Sequence, residues 1–244
     1  MAYEHILFDV AEGIATITLN RPEKLNAYIP PMGDEVCHAI RGLRDDAKVR
    51  AVILTGAGRG FCAGVDLDYL KANPPSPDGK FAGDDFIRNL PRELTEYPKP
   101  VIAAVNGHAI GVGVTMILPC DLRVAAAGAK LAVPFTKLGM LPGLGSSALL
   151  PRVVGLGRAM DLVLTARTLV AEEALELGLL NRVVPGDRLQ AEVRALALQI
   201  AGNVPESLAF AKRALHQGLQ LSLPEAIENE RALGDELRRR RSGR

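Results

Sequence analysis

The stretch from Pro100 to Cys120, PVIAAVNGHAIGVGVTMILPC, is 21 residues long and holds no Asp, Glu, Lys or Arg. A segment without charge belongs to a core or to a membrane. Its two prolines, three glycines, Asn106 and His108 argue against a membrane span. Val101 to Val105 is a short apolar run of the kind a fully buried strand shows. Asn106 and Gly107 interrupt it, Gly111 and Gly113 follow, and an apolar run from Val114 to Leu118 ends at Pro119. The pattern predicts a strand, a tight glycine-rich turn and a buried helix. The N–H groups of a first helical turn lack intrahelical partners, and glycines let a ligand approach that backbone closely. Such a turn suits an anion, including one that forms only during a reaction. Glycines that serve packing alone would give the same spacing.

Around this stretch strands and helices alternate. Tyr3 to Val10 and Gly13 to Leu19 read as two strands joined at Ala11–Glu12–Gly13. Pro22 forces Asn20 to Ala27, NRPEKLNA, into a loop. A helix is expected from Pro31 to about Asp45, and AVILT at 51–55 is another buried strand. Gly56, Gly58 and Gly60 invite a dinucleotide-binding reading. The third glycine is one place early for G-x-G-x-x-G, and no helix opens there, so that reading is set aside. Residues 71–85, rich in Pro, Gly, Asp and Lys, read as a mobile surface loop ahead of a helix over 85–97. Later come a strand over 121–126, a short edge strand over 129–133, and a loop over 134–145 with Ser146 as helix N-cap. From Gly157 onward the pattern is helical apart from a strand over 181–184. Alternating β and α followed by helices alone places the chain in the α/β class.

Composition narrows the function. Aromatic residues make up only 4% with no Trp, which disfavours base- or sugar-stacking platforms. The formal charge is +1, and the last seven residues, RRRRSGR, hold five arginines, so the rest of the chain is mildly acidic and no nucleic-acid partner is expected. Cys37, Cys62 and Cys120 are widely spaced, and the four histidines are scattered. Neither a disulfide framework nor a metal site follows, and a reducing, cytoplasmic setting is the simplest account.

Four segments in this order resemble the crotonase superfamily, the enoyl-CoA hydratases and isomerases. NRPEKLNA at 20–27 resembles its N-R-P-x-x-x-N-A loop, and GFCAGVDL at 60–67 its F-x-A-G-x-D-[IL] segment. NGHAIGVGVTM at 106–116, followed by CDLRVAA, resembles its glycine-rich helix entry and next strand, and PFTKLGMLPGLGSS at 134–147 its loop before a short helix. The resemblance spans about residues 3–232 and implies a spiral of repeated β-β-α turns with a helical C-terminal part. It divides the chain into a spiral core over 1–185 and a helical region over 186–244 involved in oligomerisation, as a homotrimer or a hexamer built from two trimers. It implies an acyl-CoA thioester substrate, with coenzyme A as part of that substrate and no separate cofactor. The thioester oxygen would meet the backbone N–H groups of Val65 and Val112. Lys24, Leu25, Ala27, Ala63, Asp66, Leu67, Gly111, Pro134, Phe135, Leu138 and Gly143 match substrate- and coenzyme-binding positions.

The resemblance breaks at the acids. Hydratases of this family carry one glutamate after the glycine-rich turn and another after the proline of the 134–147 loop. Here those places hold Thr115 and Phe135, and the place of an isomerase acid holds Gly143. Neither a threonine nor a phenylalanine is a base near neutral pH. Asp66, Asp68, Tyr69, His108, Asp84 and Asp85 are the replacement candidates, and His108 is expected to be buried and hydrogen-bonded. Thioester hydrolysis, decarboxylation and acyl-CoA binding without catalysis stand as alternatives to the hydratase/isomerase type.

Overall fold

The structure, a computed structural model, describes residues 3–74 and 84–242. It opens with β1 (Ile6–Ala11) and β2 (Ile14–Leu19), an antiparallel hairpin in which Ala11 faces Ile14. Glu12 (φ 51°) and Gly13 (φ 76°) form its two-residue turn, both left-handed, the geometry that matches the twist of the paired strands. Then come α1 (Pro30–Leu43), β3 (Ala51–Gly56), β4 (Gly60–Cys62), α2 (Leu67–Ala72) and α3 (Asp84–Thr95). β5 (Val101–Val105), β6 (His108–Ile110), α4 (Val112–Thr115), β7 (Leu122–Ala126) and β8 (Lys130–Ala132) follow. The chain continues through α5 (Ser146–Val154), α6 (Leu156–Thr165), β9 (Thr168–Val170), α7 (Ala171–Glu176) and β10 (Arg182–Val184). It ends in α8 (Leu189–Ala201), α9 (Pro205–Gly218) and α10 (Leu223–Ser242).

The strands sort into two sheets, β1-β2-β3-β5-β7-β10 and β4-β6-β8-β9. Strands β3, β5 and β7 stand side by side and parallel in the first, while β4, β6 and β8 do the same in the second. Each pass of the chain thus lays one strand in the large sheet and one in the small sheet before it turns back, which is the β-β-α spiral. Alternate residues of a strand point to opposite faces. Ile14, Ile53, Ile102 and Val124 meet Leu189, Val193 and Leu196 of α8 on one face. Ile17, Leu54, Ala103 and Val105 meet Met32, Val36 and Ile40 of α1 in the main core. Burial on both faces explains why VIAAV and AVILT are continuous apolar runs. Each such Leu, Ile or Val contributes about 1.5–3 kcal/mol by leaving water.

Polar anchors tie the layers. The Tyr97 hydroxyl donates to the Ile40 carbonyl at 2.7 Å, and Arg41 grips Glu93 of α3. Arg123 is buried and donates to the carbonyls of Leu179 (2.8 Å) and Cys120 (2.7 Å), stitching β7 to the turn before β10.

Several expectations are corrected. The turn after β5 holds a strand, β6, which the flanking glycines hide from a periodicity argument. The buried helix is a single turn, α4, and the apolar run after it continues in turns to Cys120. The strand expected at the sheet edge, β8, lies between β6 and β9, a strand that the expectation omits. Ser146 is the first helical residue and Gly145, left-handed at φ 66°, is the cap. Most of the loop expected over 71–85 lies outside the described residues.

Candidate active site

The first loop is built around Asn26. Leu25 and Asn26 are both left-handed (φ 51° and 55°), a conformation that a rigid set of contacts must hold in place. Asn26 is fully buried; its Oδ1 accepts from the Arg21 N–H at 2.8 Å, and its amide donates to the carbonyls of Ala57 and Gly60, both at 2.9 Å. These bonds fasten the first loop to the second glycine-rich segment. The Ala63 N–H adds a bond to the Leu25 carbonyl at 3.0 Å.

Tyr28 then pairs with Val65 as an isolated parallel bridge. The Tyr28 N–H donates to the Gly64 carbonyl at 2.7 Å, and the Asp66 N–H donates to the Tyr28 carbonyl at 2.9 Å. Because successive N–H groups of an extended chain alternate sides, the Val65 N–H points away from Tyr28.

On the facing segment, Gly111 adopts φ 54°, ψ −112°, which a side chain would resist. Its N–H donates to the Ala132 carbonyl at 2.9 Å, and its carbonyl accepts from Val114 and Thr115. That turn leaves the N–H of Val112, first residue of α4, without an intrahelical acceptor. Neither the Val65 nor the Val112 N–H donates to another backbone or side-chain group among the described residues. The two segments touch closely: a Cβ on Gly113 would lie 2.5 Å from the Cys62 carbonyl oxygen.

Val65 and Val112 line one cavity of about 110 Å³, together with Ala63, Gly64, Leu67, Ile110, Gly111, Pro134, Phe135, Leu138 and Met140. No ionisable side chain is among these lining residues. Of the residues expected at a site, Ala63, Val65, Leu67, Gly111, Val112, Pro134, Phe135 and Leu138 are therefore brought together. Lys24, Leu25, Ala27, Asp66 and Gly143 are not part of the lining. Lys24 is exposed on the turn Pro22–Lys24 with its Nζ 3.8 Å from Asp68, and a Cβ on Gly143 would face Ile87 of α3 at 3.8 Å.

The acid positions behave as their residue types require. Thr115 is fully buried, and its hydroxyl reaches only the Val112 carbonyl of its own turn, at 3.4 Å. The Phe135 ring is buried, with its tip 3.7 Å from where a Cβ on Gly111 would stand.

Two of the replacement candidates, Asp66 and Asp85, are engaged elsewhere. Asp66 caps α2 by accepting from the Tyr69 N–H at 3.1 Å and pairs with Arg21 at 3.0 Å. Burial raises its pKa, but the Tyr69 N–H and the Arg21 guanidinium, with Lys24 nearby, outweigh burial and hold it below the ordinary value. Asp85 is held low by hydrogen bonds from Arg41 and Asn89. Asp68 is exposed beside Lys24, and the side chain of Asp84 lies outside the described residues. For His108 the expected burial is overturned and the expected hydrogen bond is found. It is exposed rather than buried, because its place at the start of β6 turns it outward, and its Nδ1 lies 3.2 Å from the Lys130 N–H. Among the described residues no cluster of three or more His, Cys, Asp or Glu could hold a metal ion.

Sequence reasoning missed the framing residues Asn26, Arg21 and Asn106. Asn106 accepts from the Gly56 N–H at 3.1 Å and donates to the Gly58 carbonyl at 2.9 Å, fixing the second segment from the other side. All three stand in the quoted motifs, so the signal was there, but their types also suit ordinary turns. Ile110 and Met140 of the lining also stand in quoted motifs, at positions whose apolar type suits any core residue.

Comparison with known proteins agrees with this architecture. The family model described as Enoyl-CoA hydratase/isomerase matches residues 9–242. A 1,2-epoxyphenylacetyl-CoA isomerase from Escherichia coli is 40% identical over 230 residues, covering 93% of this chain and 88% of that protein. A short-chain-enoyl-CoA hydratase from Clostridium acetobutylicum is 37% identical over 233 residues, covering 94% and 88%. The crystal structure of an enoyl-CoA hydratase from Bacillus anthracis superposes with a TM-score of 0.90 at 35% identity, over 95% of this chain and 90% of that one. The chain belongs to the enoyl-CoA hydratase/isomerase family of the crotonase superfamily.

Proposed function

We propose that the protein acts on acyl-CoA thioesters and stabilises a thioester enolate between the backbone N–H groups of Val65 and Val112. The observation that carries this reading is the convergence of the two N–H-bearing residues on one apolar cavity. Negative charge that develops on the thioester oxygen would meet two donors already oriented, in surroundings that screen little. One such donor is worth roughly 3–4 kcal/mol in the transition state. The donors owe their direction to the Tyr28 bridge and to the Gly111 turn rather than to a helix dipole, since α4 is one turn long. Lys24 and Leu25 of the first loop, with Ala27 and Asp66 behind them, are proposed to receive the nucleotide and pantetheine parts. In this reading Asp66 acts by holding Arg21 and the start of α2, while Gly143 acts through the loop that it carries past Ile87.

The hydratase and isomerase names of the relatives support chemistry next to the thioester carbonyl. Thr115, Phe135 and Gly143 favour a reaction that leans on the donor pair more than on paired carboxylates. The test is a calorimetric titration with butyryl-CoA, beside α-carbon deuterium exchange in heavy water. Binding with exchange is the expected result; absence of binding would overturn the reading.

The same reading has the chain assemble as a homotrimer or a pair of trimers, in a reducing cytoplasmic setting. Leu215 and Leu219 of the α9 segment and Leu223 and Ile227 of α10 are exposed in the single chain, which supports a subunit contact there. Sedimentation velocity checks it, and a monomer at every concentration would contradict it. All three cysteines are buried free thiols, which fits the setting.

A further inference from the structure

The wall that faces the two donors sets a limit on what the cavity can hold. We infer that the site takes acyl groups of about four carbons and that Phe135 is the residue that sets this limit. This rests on the reading that the thioester carbonyl lies at Val65 and Val112.

The cavity measures about 110 Å³. An apolar cavity of about 150 Å³ holds the six carbons of benzene, so by proportion about four carbons fit here. Leu67 and Leu138 are exposed (45% and 54%), so they stand at the mouth and can yield. Phe135 is 6% exposed and cannot. Its turn, Pro134–Leu138, is held twice: the Met140 N–H donates to the Phe135 carbonyl at 3.0 Å, and the Thr136 hydroxyl donates to the Val163 carbonyl of α6 at 2.9 Å. Opposite the ring stands Gly111, whose backbone is fixed by its bond to Ala132. A chain leaving the donors therefore meets a rigid ring on one side and β6 and α4 backbone on the other. A longer chain passes this wall of the cavity only if a buried ring moves, which interiors resist. The apolar lining rewards each methylene that fits by about four-fold in affinity, and a chain too long to seat forfeits that reward altogether.

The experiment is isothermal titration of the full chain with coenzyme A, acetyl-, butyryl-, octanoyl- and phenylacetyl-CoA, repeated with Phe135→Ala and Phe135→Leu. In the unchanged protein butyryl-CoA is expected to bind at least ten-fold tighter than octanoyl- or phenylacetyl-CoA. Phe135→Ala is expected to bring those ratios to about one or reverse them, with Phe135→Leu between. Equal affinity for butyryl and octanoyl chains in the unchanged protein would overturn the inference. So would ratios that stay fixed in a variant whose circular dichroism shows it folded. Should Phe135→Ala not fold, the chain-length series and Phe135→Leu decide alone. Failure of the underlying reading looks different: no thioester then binds more tightly than coenzyme A itself, whatever its length.

Discussion

The donor segments and the acid positions lie around the same cavity, yet they differ in how far they match the pattern that the resemblance implies. GFCAGVDL and NGHAIGVGVTM carry glycines that set the turns around the donors, and the structure brings Val65 and Val112 to a common cavity. Thr115, three residues past Val112, and Phe135, across the cavity from Gly111, hold no carboxylate where the resemblance leads one to expect it. The difference is physical. A backbone donor depends on turn geometry, which glycines and buried asparagines hold, and any side chain can stand on it. A carboxylate is a side chain and goes with a single substitution. The oxyanion-binding half of such a site can therefore persist while the proton-moving half changes.

The sharpest way to break this comparison is to remove a donor. Val65→Pro deletes an N–H that makes no bond within the described residues, so the expected loss lies in turnover, about 10²–10³-fold in kcat. Turnover within three-fold of the unchanged protein would show that the N–H does not meet charge. The next effect is on the frame. Asn26→Ala removes the side-chain donor to the Ala57 carbonyl, one of two donors to the Gly60 carbonyl and the acceptor of the Arg21 N–H, and it frees the left-handed Leu25–Asn26 turn. A loss of about 1–3 kcal/mol in chemical denaturation is expected, with weaker acyl-CoA binding.

The acid side should respond far less. Thr115→Val removes a hydroxyl whose one hydrogen bond is long. It is expected to change stability by about 1 kcal/mol or less and to leave the pH–rate profile in place. A displaced profile would make Thr115 part of the proton path. The smallest effect concerns Asp66. Its folded pKa is depressed, so its contribution to stability is complete above the ordinary carboxylate value of about 4 and is lost as pH falls through the lower folded value. Denaturation midpoints of the unchanged protein and of Asp66→Asn should differ by the same amount at pH 6 and pH 8, and converge only below about pH 4.

How much of this could be read beforehand follows from the same division. Continuous apolar runs announced β3 and β5 because both of their faces are buried, and alternation announced β2. The short strands β6 and β9 were hidden, since three residues carry no period and their pairing is set by distant partners such as Lys130 to Val170. The segments of the site were legible as motifs. That Asp66 is occupied with Arg21 and the α2 cap was not, because it depends on a loop folding back across 45 positions. The outward turn of His108 was missed for the same reason: sequence neighbours that are buried say little about the one residue that faces out.

The most direct test of the central claim is the infrared carbonyl stretch of butyryl-CoA labelled with ¹³C at the thioester carbon, free and bound. Two backbone donors at Val65 and Val112 should move the bound band to lower frequency than in water, and Val65→Pro should recover much of the shift. A ligand that binds while its band stays at the solution frequency, in both proteins, would contradict the account.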